Sequence, residues 1–339
     1  MDKIRICLVG AGRAGEVHGD VYKKCIPESE IVAIVDENCN KAKSLAKKYK
    51  ISEKSTFSNL KEAMSNLKFE AVVITTPTFT HAGYAIEAAK NKVHVFCEKP
   101  MCITIDECNQ MIKSCKENKV ILQVGFMRRF DPGFSYAKNS ISNGAIGKPI
   151  IIKSLTRGPG LPGKWSYDIK NSNGMLAEVN SHDFDTIRWL AESEYESIFA
   201  IADNFKCSEI GKKYKKFYDS AVVNIRLKNG TMGLIDGVCP CHYGYDARTE
   251  VVGTKGVMFI GSLKGSSVIS CTRESGITTP QVLSWKKRFH EAYIAEDRHF
   301  IDCIFENNEP LVTGKDGKKV VEAVISANKS IFKKIPVYI

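Results

Sequence analysis

The chain opens on Ile4-Arg5-Ile6-Cys7-Leu8-Val9-Gly10-Ala11-Gly12-Arg13-Ala14-Gly15, an apolar run of strand length that ends in Gly-x-Gly-x-x-Gly and leads into a helix-compatible segment. The three glycines have separate tasks. Gly10 permits the tight turn out of the strand, Gly12 lets backbone approach a pyrophosphate, and Gly15 lets helix and strand pack closely. The helix start then offers unpaired N–H groups and the positive end of its dipole to phosphate. A second apolar strand, Ile31-Val32-Ala33-Ile34-Val35, runs into Asp36, 21 residues beyond Gly15. A carboxylate at that distance suits the ribose hydroxyls of a dinucleotide.

The pattern set by this opening continues to about residue 124. Strand-like runs at 4–9, 31–35, 71–75, 93–96 and 120–124 alternate with amphipathic stretches such as 80–90 and 104–118. Buried strands alternating with helices predict a parallel sheet wound on both faces, with its ligand at the carboxyl ends of the strands. Beyond residue 125 the runs at 149–156, 197–203, 220–227, 231–237, 249–252, 257–260 and 267–271 read as strands. Asn229-Gly230 is a two-residue hairpin signal, and Thr254-Lys255-Gly256 joins another pair. The second region is therefore α+β with a mostly antiparallel sheet. Its conspicuous helix is expected over about 174–191, and a closing helix over about 314–333. The expected domains are 1–124 and 125–339, with a cleft between them and a C-terminal tail able to return to the first.

With 339 residues, 43% of them hydrophobic, the chain is long enough for two such domains. Its apolar runs are strand-sized, well short of the roughly 20 residues a membrane span needs. The first strand starts at residue 4, leaving no room for a signal peptide before it, and twelve irregularly spaced cysteines fit reduced thiols. A cytoplasmic location without membrane contact is expected. The net charge of +11 comes from dispersed lysines, 38 against 11 arginines, with no nucleic-acid-binding signature beside them. Lys212-Lys213-Tyr214-Lys215-Lys216 reads as a solvated loop, and nucleic acid is not expected as a partner. Cys239-x-Cys241-His242 has no second ligand pair, so no metal is expected.

Three clusters carry chemistry. Glu98-Lys99-Pro100 directly follows the 93–96 strand, which places Lys99 at the ligand edge of the sheet; from the tripeptide alone, a surface lysine is the plainer reading. In Gly174-Met175-Leu176-Ala177-Glu178-Val179-Asn180-Ser181-His182-Asp183-Phe184-Asp185, Glu178 and His182 are four apart and Asp185 is three further on. On one helix they share a face, either as a surface ion pair or as a base whose imidazole is made more basic by a carboxylate. Gly125-Phe126-Met127-Arg128-Arg129-Phe130 sets two cations past the last strand of the first domain, able to clamp a polar ligand or bridge domains.

Taken in order, these motifs resemble the glucose-fructose oxidoreductase / inositol dehydrogenase / rhizopine catabolism (Gfo/Idh/MocA) family over essentially the whole chain. The Met127-Arg128-Arg129-Phe130 segment and the block His242-Tyr243-Gly244-Tyr245-Asp246 with Glu250-Val251-Val252-Gly253-Thr254-Lys255-Gly256 are similar to its inositol 2-dehydrogenase branch. The resemblance implies a Rossmann domain joined to an open-faced antiparallel α+β domain, in homodimers or homotetramers built through that sheet. It implies oxidation of a secondary alcohol on a sugar or cyclitol with NAD or NADP. The family lysine falls on Lys99 and the family histidine on His182. Where the family commonly has Asp four residues before the histidine, this chain has Glu178. Where the inositol branch has His-Arg-Asn-Pro, it has Thr156-Arg157-Gly158-Pro159.

The expected activity is NAD-dependent oxidation of a hydroxyl on an inositol or sugar-like polyol, His182 taking the proton and Lys99 donating to the oxygen. Arg128, Asp185, Tyr245, Glu178 and Arg157 form the expected substrate set. Gly10, Gly12, Arg13, Ala14, Gly15, Asp36, Thr75, Pro77, His81, Glu98 and Lys99 form the cofactor set. Asp36 favours NAD over NADP by repelling a 2′-phosphate. The small residues Thr156 and Gly158, where that branch carries longer polar side chains, would leave either water or room for a substituent, which argues against myo-inositol as the best substrate. The alternatives are a 3-dehydrogenase of a glucoside with tightly held NAD, and a non-catalytic NAD-binding sensor.

Overall fold

The computed structural model of the protein describes residues 3–339. By internal contact the chain divides into two compact units. One joins the chain up to Phe130 with Glu291–Val321, and the other joins Asp131–His290 with Glu322–Ile339.

The first unit contains β1 (Ile4–Val9), α1 (Arg13–Cys25), β2 (Ser29–Val35), α2 (Cys39–Tyr49), β3 (Thr56–Phe57), α3 (Leu60–Asn66) and β4 (Ala71–Ile74). It continues with α4 (His81–Lys90), β5 (His94–Glu98), α5 (Ile105–Glu117) and β6 (Leu122–Gly125). The strands form one parallel sheet in the order β3-β2-β1-β4-β5-β6. Every residue of β4 is buried, as are all but Arg5 of β1, because helices cover both faces. The strand order reverses between β1 and β4, and at such a switch point a doubly wound sheet opens a crevice for its ligand. The far edge does not end at β6. The Val124 N–H donates to the Val312 carbonyl at 3.1 Å, and Gln123 forms an antiparallel bridge with Thr313, so the returning segment covers the edge.

The second unit holds α6 (Pro132–Ser142), β7 (Pro149–Arg157), α7 (Ile169–Ser172), α8 (Gly174–Glu178), α9 (Ser181–Ala191), β8 (Tyr195–Asp203), α10 (Ser208–Lys213), β9 (Ser220–Leu227) and β10 (Met232–Val238). It continues with β11 (Asp246–Gly253), β12 (Val257–Ile260), β13 (Ser270–Thr272), β14 (Gly276–Thr278) and α11 (Trp285–Arg288). Next in the chain come α12 (His290–Glu306), α13 (Gly314–Lys333) and β15 (Val337–Tyr338). Its large sheet runs β12-β11-β7-β10-β9-β8-β15, with β7 and β10 parallel and the other neighbours antiparallel. Strict alternation in β9 shows the reason for one covered and one open face: Ala221, Val223, Ile225 and Leu227 are buried, whereas Val222, Asn224 and Arg226 are exposed.

Most strand expectations hold to within a few residues, and the Asn229-Gly230 hairpin joins β9 to β10 with Gly230 at φ +90°. Three features differ. The 267–271 run contributes only β13, which pairs with β14 in a separate two-stranded sheet. The helix expected over 174–191 is two helices, interrupted at Val179 and Asn180. The single cut at residue 124 also differs from the observed division. The stretch grouped with the first unit is Glu291–Val321, while the final residues Val337 and Tyr338 pair with β8.

Candidate active site

The turn after β1 is tied to the end of β4. The Thr75 hydroxyl donates to the carbonyls of Val9 at 3.1 Å and Gly10 at 2.9 Å. Gly10 lies at φ +107°, where side chains are disfavoured. A Cβ on Gly15 would stand 1.9 Å from the Gly10 carbonyl oxygen, whereas a Cβ on Gly12 would meet nothing within 4 Å. Gly15 is thus required by packing, while Gly12 faces open space. Gly12 is the N-cap of α1 and makes no side-chain cap bond, so the first N–H groups of that helix have no side-chain acceptor there. Beside this turn, the Asp36 carboxylate accepts the Ala11 N–H at 2.8 Å on one oxygen and the Asn38 N–H at 2.9 Å on the other. A bare glycine, an uncapped helix start and a carboxylate fixed at the end of the next strand fit the pyrophosphate and ribose of a dinucleotide.

Two other members of the expected cofactor set shape the loops. Pro77 begins the short turn 78–80, where the Thr80 hydroxyl donates to its carbonyl at 2.7 Å. His81 is buried, with Nε2 2.8 Å from the Thr76 carbonyl and Nδ1 2.9 Å from that of Pro100. Burial holds its pKa below the usual value despite those carbonyls. His81 thereby couples the exit of β4 to the segment after Lys99.

Lys99 follows β5 at its carboxyl end, and its N–H donates to Glu98 Oε2 at 2.8 Å. Glu98 is buried and its other oxygen lies 3.0 Å from His18 Nε2. Burial opposes ionisation of Glu98, but the bond and charge of His18, with Lys99, outweigh it and hold the carboxyl below the ordinary range. Gly125 lies against this group, since a Cβ there would stand 3.3 Å from Glu98 Oε2. Arg128 is almost wholly buried in the turn 127–130. Arg129 donates to the Leu311 carbonyl and pairs with Asp316 at 3.1 Å, which fastens the returning segment.

In the second unit, α9 carries His182, Asp183 and Asp185, all buried, and packs on β7 and β10. Asp183 is the hub. It accepts the Ser154 and Thr156 hydroxyls, each at 2.6 Å, and the Asn180 amide at 2.8 Å. Asn180 turns its side chain toward the sheet over Gly237, where a Cβ would come within 2.3 Å of its Oδ1. This interrupts the helix and corrects one expectation: no continuous helix sets Glu178 and His182 on one face by their four-residue spacing. A second correction concerns Thr156 and Gly158. Thr156 is committed to Asp183, and a Cβ on Gly158 would meet Cys239 Sγ at 2.7 Å, so neither leaves room for a substituent. Arg157 alternates to the opposite sheet face, bonded to Asp236 and, at 3.2 Å, to the Tyr243 hydroxyl, away from the face that carries α9. Tyr245 is buried with its ring edge-on to Phe289.

Comparison with known proteins reads the same architecture. Residues 4–126 match the family described as "Oxidoreductase family, NAD-binding Rossmann fold", and residues 138–339 match its C-terminal alpha/beta domain. The chain belongs to the Gfo/Idh/MocA oxidoreductase family. Its cofactor is NAD. Among members of this family, a scyllo-inositol 2-dehydrogenase (NAD(+)) of Bacillus subtilis is 33% identical over 99% of this chain and 96% of its own length. A myo-inositol 2-dehydrogenase of Thermotoga maritima is also 33% identical, over 98% and 97%. The structure of a Lactobacillus casei scyllo-inositol dehydrogenase with bound NAD(H) and scyllo-inositol superposes with a TM-score of 0.91 at 25% identity, covering 99% of each chain. Sequence reasoning missed His18 and Asp297, which are bonded to each other behind Glu98, and Asp183, which ties α9 to β7. His18 had a signal of its own, a histidine three residues after Gly15 on the helix that opens at the glycine turn.

Proposed function

We propose that this enzyme oxidises a secondary hydroxyl of an inositol or sugar-like polyol to the ketone. The carrying observation is the anchoring of Lys99 by Glu98 at the carboxyl end of β5, the ligand edge of a parallel sheet. NAD, when bound, accepts the hydride from the carbinol carbon. His182 takes the hydroxyl proton. Lys99 donates a hydrogen bond to the oxygen on which charge develops, a contribution strongest in a dry site. Asp36 and the Gly10–Gly15 turn hold the dinucleotide, and Asp36 supports NAD over NADP. Arg128, Asp185 and Tyr245 hold neighbouring hydroxyls or order the site. The inositol dehydrogenase relatives support the substrate class. Because Thr156 is bonded to Asp183 and Gly158 abuts Cys239, neither disfavours myo-inositol, and myo-inositol and scyllo-inositol both stand as leading substrates.

We further place the enzyme in the cytoplasm, a compartment that suits twelve free thiols. Among the described residues no helix is long and apolar enough to cross a membrane.

The test is NADH formation with a panel of inositol isomers and glucosides. One or two inositols should dominate kcat/KM. Lys99→Ala and His182→Ala should each lower kcat by about 10²–10⁴-fold while NAD still binds in a fluorescence titration. A glucoside as best substrate would replace the inositol reading, and near-normal kcat in either variant would remove that residue from the mechanism.

A further inference from the structure

Behind Glu98 lies a buried ionisable cluster that the proposed reaction does not use. His18, on α1, is fully buried and has a carboxylate at each ring nitrogen: Asp297 Oδ1 at 2.7 Å from Nδ1 and Glu98 Oε1 at 3.0 Å from Nε2. Its ring packs on Phe96 at 4.9 Å and edge-on to Tyr293 at 5.4 Å. An ionised carboxylate only accepts hydrogen bonds. Burial pushes the Asp297 carboxyl up, against the charge and bond of His18 that pull it down; with both carboxyls ionised, two such bonds require both ring nitrogens to be protonated, and the ring is an imidazolium. On Glu98 the chain of bonds continues, because its second oxygen accepts the Lys99 N–H.

We propose that His18 is a positioning residue for the reaction: an imidazolium held by Asp297 that locks the Glu98 carboxylate, and through it the backbone from which the Lys99 side chain departs. The inference rests on the role given to Lys99 above. The ionisation of the cluster follows from the groups that face it. Burial disfavours the charge on His18, but Asp297 and Glu98 outweigh burial and raise its pKa well above the usual value. Glu296, the neighbour of Asp297 on α12, is fully buried, and neither of its carboxylate oxygens has a hydrogen-bond partner. Burial, then the charge of Glu98, raises its pKa well above the carboxylate range, so it stays neutral and leaves His18 to Glu98 and Asp297. Tyr22, on the helix of His18, is likewise held neutral, first by burial and then by Asp297 and Glu296.

Removing the imidazolium takes away the partner that keeps Glu98 ionised. The Glu98 pKa rises, the carboxylate protonates at higher pH, and its hold on the Lys99 N–H weakens. His18→Gln should therefore lower kcat by roughly 10²-fold, as misplacement of a catalytic group does. The acid limb of the kcat–pH profile should move to higher pH, while the Kd for NAD changes little. Asp297→Asn, which keeps the shape but loses the charge, should move the same limb by a smaller amount. In wild type, the NMR signals of His18, assigned by their loss in His18→Gln, should remain those of an imidazolium at neutral pH and above.

A His18 ring that is neutral at neutral pH overturns the proposal. So does an acid limb that stays in place in both variants, since a merely structural residue would lower yield or stability without moving a kinetic pKa. If His18→Gln does not fold, Asp297→Asn and the wild-type NMR titration decide, the His18 signals then being assigned through their ring contacts to Phe96 and Tyr293. Failure of the Lys99 reading is separately visible: Lys99→Ala would keep its kcat while His18 still titrated as an imidazolium.

Discussion

At the scale of single residues, the Gly-x-Gly-x-x-Gly motif separates a glycine required by packing from one that faces open space. Gly15 has the Gly10 carbonyl oxygen 1.9 Å from where a Cβ would stand, and Thr75 Oγ1 at 2.9 Å. Neither neighbour can retreat, because the Thr75 hydroxyl is bonded to the same carbonyl. Gly15→Ala should therefore destabilise the first unit by about 1–3 kcal/mol, the range for overpacking, seen as a lower denaturant midpoint. Gly12→Ala adds its methyl to open space at the start of α1. It should leave the midpoint nearly unchanged and weaken NAD binding by roughly tenfold, about 1.4 kcal/mol, by crowding the phosphates. Equal stability losses in the two variants would mean that the glycines share one structural task.

At the scale of elements, the link between β7 and α9 is polar and buried. Asp183 holds three donors, and two of them, Ser154 and Thr156, point to the same face of β7. Asp183→Ala leaves all three buried donors without this acceptor and should cost roughly 2–4 kcal/mol of stability. Thr156→Val keeps the shape and removes one donor, so its cost should be nearer 1 kcal/mol. Because Thr156 serves α9, Thr156→Val should leave the ranking of inositol isomers unchanged; a reordered ranking in the substrate panel would return that residue to the substrate wall. The same elements show what the sequence made legible. Alternation in β9 and the Asn229-Gly230 turn are local signals, and the sheet follows them. The break at Asn180 was hidden because it depends on Gly237, a residue 57 positions away. Helix α12 was hidden for a related reason. Its polar residues Glu296 and Asp297 are both fully buried, and Asp297 Oδ1 is paired with a histidine from α1. The motifs around Lys99 and His182 stand out in the sequence because they are short and local, whereas a pairing such as that of His18 with Asp297 joins residues 279 positions apart.

At the scale of the whole molecule, the large sheet keeps one face open, with apolar side chains exposed on it. Cross-strand register puts Ile201 opposite Val222, and Val222 opposite Asp236, on the face away from α9. Ile201 is 63% exposed, Val222 45% and Met232 46%, and at the far edge Phe259 is 73% exposed. Ile201 and Val222 are adjacent, while Met232 and Phe259 stand beside Arg226 and Glu250, and exposed apolar groups on an open sheet face suit an interaction surface. The positive net charge of +11 would repel a second copy at long range, so the contact has to come from apolar burial, which salt does not weaken. We propose that this face joins copies of the chain in a homodimer or homotetramer. Light scattering on the eluting protein should give a mass two or four times the 37.7 kDa of one chain, at low and high salt alike. Ile201→Asp combined with Val222→Asp sets two carboxylates side by side on neighbouring strands of that face. Burying them in an interface would cost several kcal/mol. The double variant should run as a monomer at concentrations where the wild type does not, while NAD titration is unchanged, because Gly12 and Asp36 belong to the other unit. A wild-type chain that is monomeric at all concentrations, or a double variant that keeps the parent mass, would leave this face without a second copy to cover it.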